Sequence, residues 1–201
     1  DGEPIRQFRE SVGQSYSLPG QTSFFNKGIT WNDVTSGAFS ARIMPKGFIF
    51  DKCAPSAFAA TDDDLYVVLG VLNSNLNEEF SKIVNPTLHF TLSDFGKIPY
   101  PQGIARNNFV QAVKSVCEVV NESWNNFEIS FDFEKVKFAD GNLRAQSAAA
   151  SWRHWREKSK HTIDYVRSAE AEISQLVESG FGLDRALPKT SPDPTMYLFQ
   201  S

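Results

Sequence analysis

Phe24-Phe25-Asn26-Lys27-Gly28-Ile29-Thr30-Trp31 opens a stretch that runs to Pro101 and decides the fold class. From Phe24 to Ala60 the pattern is that of strands. Ile29–Val34, Phe39–Met44 and Phe48–Lys52 alternate apolar with polar residues, with Gly, Pro and Ser between them. Thr61 then offers a hydroxyl to the orphan N–H groups of a helix start, and Asp62, Asp63 and Asp64 suit the positive end of the helix dipole. The run Leu65-Tyr66-Val67-Val68-Leu69-Gly70-Val71-Leu72 is apolar nearly all round, which predicts a buried helix. Asn73-Ser74 breaks or nicks it and caps its end, and a further turn or two continues through Phe80 and Ile83. Pro86 disfavours helix at Asn85, so Leu88–Leu92 reads as a strand and Asp94–Ile98 as a turn.

Outward from this stretch the chain divides in four. Residues 1–23 form an irregular lead-in with one short strand near Ile5–Phe8. Residues 24–140 form the α+β unit. Beyond the opening stretch it adds a helix over Asn107–Trp124, with Phe109, Val113, Val116, Cys117 and Val120 on one face, and a strand over Ile129–Phe138. Residues 141–187 carry a long helical segment. Trp152, Trp155, Ser159, Thr162, Val166, Ala169, Ile173 and Leu176 recur in it at alternating spacings of three and four. Two polar members argue for a helix lying on its own domain, or on a larger body, over a simple coiled-coil dimer. Gly180 and Gly182 end it. Residues 188–201, with Pro188, Pro192 and Pro194, form an irregular tail. The expected class is α+β: a small, mostly antiparallel or mixed sheet packed with helices, followed by a long C-terminal helix.

The chain has 201 residues and a formal charge of -4, so it is not a globally basic nucleic-acid binder. Contact with DNA would have to come from a local patch. Cys53 and Cys117 stand far apart with no ligand spacing around them, and read as reduced thiols in a cytoplasmic protein. No apolar run is long enough to span a membrane. Asp62–Asp64 is explained more simply as a helix start than as a metal cluster. The chain opens on Asp1 without a methionine, and we expect a segment of a longer protein.

Six segments stand in order: Phe24-Phe25 with Gly28-Ile29-Thr30-Trp31, Phe39-Ser40-Ala41-Arg42, Gly47-Phe48-Ile49-Phe50-Asp51, a helix ending Leu72-Asn73-Ser74, Asn85-Pro86-Thr87, and Ile98-Pro99. In this order they resemble the target-recognition region of adenine-specific DNA methyltransferases of the BREX phage-defence type. More loosely, they resemble the specificity domains of restriction-modification enzymes. The likeness covers roughly residues 20–102 well. Residues 150–187 match loosely, where Phe181-Gly182-Leu183 stands for a Tyr-Gly-Leu helix ending.

The resemblance implies a DNA-recognition segment without the catalytic half. Amino-methylating enzymes of this type hold the flipped base with Asn/Asp-Pro-Pro-Tyr/Phe and bind S-adenosylmethionine with a glycine-rich loop; neither motif is in this sequence. The segment is therefore expected to need no cofactor and to catalyse nothing, with S-adenosylmethionine used by the parent. Implied partners are double-stranded DNA, the catalytic domain of the same parent chain and other defence-system proteins.

Candidate DNA contacts follow from side-chain chemistry. Arg42 can take guanine O6 and N7 with one guanidinium fork; its alternative is an ion pair with Asp33 or Asp51. Lys27 and Lys46 stand beside glycines in turns and can hold phosphates, or be merely solvated. Thr30, Asn32, Thr35, Ser36 and Ser40 form a polar group that reads bases or closes turns. Trp31 fits the core better than a stacking role. His89 alternates with Leu88 and Phe90 and faces solvent or DNA. Arg153 and Arg156, in the basic part of the long helix, can cross the phosphate backbone or form a solvated face.

Two rival readings stand beside DNA recognition. One is a docking module for a defence complex that uses the long helix and its tryptophans. The other is a small enzyme built on scattered residues such as His89 with Asp94.

Overall fold

The computed structural model describes residues 3–13, 20–35, 39–135 and 147–183, and these form an α+β fold. Strands β1 (Gly28–Trp31), β2 (Ala41–Met44) and β3 (Ser56–Ala57) make one antiparallel sheet in the order β2-β1-β3. Around it stand helices α1 (Glu3–Ser11), α2 (Asp62–Leu72), α3 (Asn75–Val84), α4 (Leu92–Phe95), α5 (Arg106–Trp124) and α6 (Ala148–Gly180). The small antiparallel sheet and the long C-terminal helix are those expected from the sequence.

Alternation fixes what each strand residue does. Ile29 lies opposite Ile43 and Trp31 opposite Ala41, so these four share the core face. Thr30 lies opposite Arg42 and Ser56 on the other face. Helix α2 packs against α5, α6, α3 and the first two strands, which is why its apolar residues run almost all round. Leu65, Val67, Leu69, Val71 and Leu72 are all buried. Helix α5 answers with the expected face of Phe109, Val113, Val116 and Val120, joined by Val110.

The caps follow the sequence. The Thr61 hydroxyl accepts from the Asp64 N–H and Ser74 does the same for Asn77. Asn73, at the end of α2, accepts from the Ala41 N–H at 2.8 Å and donates to the Ala41 carbonyl at 2.9 Å. One amide thus ties the helix end to the outer strand.

Four local expectations give way. Phe48–Lys52 is not a strand: Gly47 takes a φ of 95° and turns the chain. Phe50 then joins Phe24 and Phe58, with ring centroids 5.3 and 5.2 Å away, so the third strand is Ser56–Ala57 instead. Leu88–Leu92 makes only a bridge, His89 to Val34, because the Thr91/Asp94 capping box starts α4 at Leu92. Ile5–Phe8 lies inside α1. Ile129–Phe138 forms no strand as far as residue 135; Ile129 is 77% and Phe131 87% exposed, with no partner strand among the described residues to cover them. Residues 136–146 and the tail from 184 lie outside the described residues.

In α6 the three-and-four spacing marks the inward seam. Thr162, Val166, Ala169 and Leu176 are half-buried and Ile173 is buried. Full burial gathers at the C-terminal end, at Ile173, Ser174, Val177 and Glu178, where the Gly103 N–H donates to the Gly180 carbonyl at 3.2 Å. At the other end Trp152 and Trp155 stack on each other, and Trp152 stays 50% exposed.

Gly70 separates helix propensity from packing. A Cβ there would stand 2.6 Å from the Phe109 ring and 2.7 Å from a Val113 methyl. Propensity alone makes Gly70→Ala stabilising by about 1 kcal/mol; overpacking opposes it by about 1–3 kcal/mol. The contacts decide, and urea unfolding is expected to show Gly70→Ala less stable than the parent.

Candidate functional site

Strand β2 is an edge strand of the sheet among the described residues, and Arg42 is the cation it carries. The guanidinium is half-buried and its Nη2 donates to Asn32 Oδ1 at 3.1 Å. Neither acid suggested for it by the sequence takes it. Asp33 Oδ2 lies 3.1 Å from His89 Nδ1. Asp51 Oδ1 accepts from the Cys53 and Ala54 N–H groups at 2.8 and 3.1 Å. Among the described residues Arg42 has no carboxylate partner. Burial draws its pKa below the usual arginine value, yet an arginine remains charged at neutral pH.

Arg42 borders a cleft of about 550 Å³ between β2, α2, the end of α5 and residues 130–132. Phe48, Tyr66, Trp124 and Phe131 line it with rings, and Asn121, Glu118 and Asp132 add polar groups. Phe48 and Phe131 meet edge to face at 5.8 Å. Cys117 also lines the cleft, but burial pushes its thiol up to about 11, so it is no ready nucleophile. Sequence reading missed this constellation because its rings come from four separate segments.

The other candidates are distributed unevenly. Asn32 sits beside Arg42, and Ser40 is half-buried just before β2. Thr30 is buried, and its hydroxyl donates to the Pro55 carbonyl at 3.0 Å. Ser36 lies outside the described residues. Lys46 is exposed in the turn at Gly47.

Lys27 pairs with Asp62 at 2.7 Å and lies over the Tyr66 ring. Burial works against its charge, but bonds to Asp62 and Tyr66 outweigh that and hold its pKa above the ordinary lysine value. Lys114 takes Asp63 at 2.7 Å and Arg106 takes Asp64. All three acids at the start of α2 therefore have basic partners. No His/Cys/Asp/Glu group among the described residues could hold a metal. Arg153 and Arg156 are exposed on α6, a helix that packs on α5, α2 and α3.

His89 and Asp94 do not form a pair. The His89 ring meets Asp33, while Asp94 is buried among Thr91, Asn85 and Lys97. Asn85 Nδ2 donates both to Asp94 Oδ2 at 2.8 Å and to the His89 carbonyl at 2.7 Å, and its Oδ1 accepts from the Thr87 N–H and hydroxyl. Asn85-Pro86-Thr87 is thus a closed turn anchored on a carboxylate.

Hydrogen bonds from Thr91 and Asn85, followed by Lys97, hold Asp94 far below the usual carboxylate range. Its stabilisation is then complete above the unfolded-state pKa of about 4 and drains away as pH falls below that. Asp94→Asn is expected to lose about 1–3 kcal/mol at neutral pH. Urea midpoints measured at falling pH should show the gap between parent and variant closing below about pH 4.

No protein-family model matches the sequence. Over 168 residues the chain is 30% identical to the adenine-specific methyltransferase BrxX of Escherichia coli O9:H4 (strain HS), spanning 83% of this chain and 13% of that protein. Over 176 residues it is 28% identical to the adenine-specific methyltransferase PglX of Lacticaseibacillus casei (strain Zhang), spanning 84% of this chain and 14% of that one. No helix among the described residues is long and apolar enough to cross a membrane. Most of this chain is therefore similar in sequence to adenine-specific methyltransferases, and it spans only 13–14% of the length of these curated relatives.

Proposed function

We propose that this chain is the target-recognition segment of an adenine-specific DNA methyltransferase of the BREX type. It holds duplex DNA while a catalytic domain elsewhere in the same cytoplasmic parent methylates an adenine. The observation that carries this reading is Arg42: a half-buried, charged fork on an edge strand, bonded to Asn32 and met by no carboxylate among the described residues. Such a fork suits the two acceptors of a guanine edge. Lys46, in the turn after β2, supplies a phosphate contact, which positions without specifying. The similarity to BrxX and PglX supplies the parent.

Among the described residues no glycine-rich turn leads from a strand into a helix, and Asn85-Pro86-Thr87 is closed on Asp94. In this proposal S-adenosylmethionine belongs to the rest of the parent, and no step is routed through this segment.

A second reading rests on the stacked Trp152/Trp155 pair. Aromatic surface beside Arg153 and Arg156 on the exposed end of α6 suits docking onto the catalytic domain or another defence protein.

Duplex binding titrated with salt separates the two. Arg42→Ala/Lys46→Ala is expected to lower affinity at least tenfold and to reduce the log–log salt slope by about 1, for the phosphate contact at Lys46. An unchanged slope moves the DNA face to Arg153 and Arg156. No duplex binding even at low salt favours the docking role, with assembly then sensitive to Trp152→Ala.

A further inference from the structure

Folding does not explain the exposure around the cleft. Phe131 is 87% exposed and Phe48 40%, yet the two touch and share the cleft with Trp124 and Tyr66. Apolar rings left in solvent at the mouth of a cavity mark a binding site more often than a packing defect. The polar groups narrow the class of ligand. The Asn121 side chain, at the cleft, has no protein partner among the described residues. Glu118 and Asp132 stand exposed at the same cleft and disfavour a phosphate inside it. What fits is an uncharged planar ring system with hydrogen-bonding edges, its phosphates kept outside the cleft.

We propose that this cleft binds the base of one unpaired nucleotide, stacked against Phe131 and Trp124. Any base offers a face to such rings, so stacking tolerates sequence. Asn121 can meet the edge of the base with a donor and an acceptor together. A cleft of about 550 Å³ lies within the range that holds ligands of this size. The strand as the source of the nucleotide rests on the DNA reading above; a free nucleoside monophosphate carries the same chemistry.

The test uses the 201-residue chain with a short labelled single strand and with the duplex of the same sequence. Phe131→Ala removes an exposed ring and leaves the core untouched. It is expected to weaken single-strand binding about tenfold, as loss of one stacked base does, and to leave duplex binding within about twofold. Asn121→Ala should weaken the same binding more modestly. Unlabelled AMP that displaces the strand at equal affinity assigns the cleft to free nucleotide; AMP that fails to displace it assigns the cleft to a strand. No single-strand binding at low salt, or binding that Phe131→Ala leaves unchanged, overturns the proposal. A Phe131→Ala effect beside a salt slope indifferent to Arg42 and Lys46 keeps the cleft and removes the duplex reading.

Discussion

Trp31 is the joint on which the sheet and the segment after α3 both depend. It is fully buried, and its indole N–H donates to the Phe90 carbonyl at 2.8 Å. Its ring stacks on Phe95 at 5.2 Å and meets Phe39 and Phe90 at 6.2 Å each. A buried indole needs a partner for its polar edge, and here that partner lies 59 residues along the chain. The backbone continues the join: the Phe90 N–H donates to Asp33 at 2.8 Å and the Thr35 N–H to Leu88 at 3.0 Å. The placement of Asn32, Asp33 and His89 is a consequence of how Trp31 is buried.

Helix α2 transmits that order to the sheet edge. At its start Asp62, Asp63 and Asp64 are tied to Lys27, Lys114 and Arg106. Exposed pairs of this kind contribute little each, roughly 0–1 kcal/mol. Their larger effect is on charge: they match three of the acids behind the net -4 with local bases. At the other end Asn73 grips both backbone groups of Ala41, the residue before Arg42. The cation therefore stands on a strand held from both sides, by β1 through the ladder and by α2 through one amide.

Helices α2, α5 and α6 were legible because each carries many repeats of one pattern; the short α1 and α4 were read as strand or turn. The apolar run of α2, the face of α5 and the seam of α6 from Thr162 onward lie where their spacing puts them, and Thr61 caps α2 as its chemistry suggests. The strands were less so. Ser56–Ala57 is too short to carry a periodic signal and exists through pairing with β1. Phe48–Lys52 has strand-like alternation, but a left-handed Gly47 and the pull of Phe50 toward Phe24 and Phe58 override it. Thr30 looked like an outward polar residue, yet the carbonyls of residues 54 and 55 cover it. Arg42 was readable as an arginine in a strand. That Asp33 and Asp51 would be engaged elsewhere was not, because both engagements are set by tertiary contacts and a turn.

The partner of Arg42 matters more than its exposure. A guanidinium that reads a base edge has to present a fixed plane, since an arginine loses much rotamer freedom when it is held. A carboxylate at position 32 would fix that plane and also cancel much of the charge. Asn32 fixes it with a neutral oxygen at 3.1 Å and leaves the charge whole. Half-burial strengthens the same effect, because lower effective dielectric makes the uncancelled charge act more strongly on an incoming acceptor. In a chain with net charge -4, long-range attraction to DNA is weak, so a site of this kind works through placement at contact. A neutral anchor on a rigid strand edge meets that requirement.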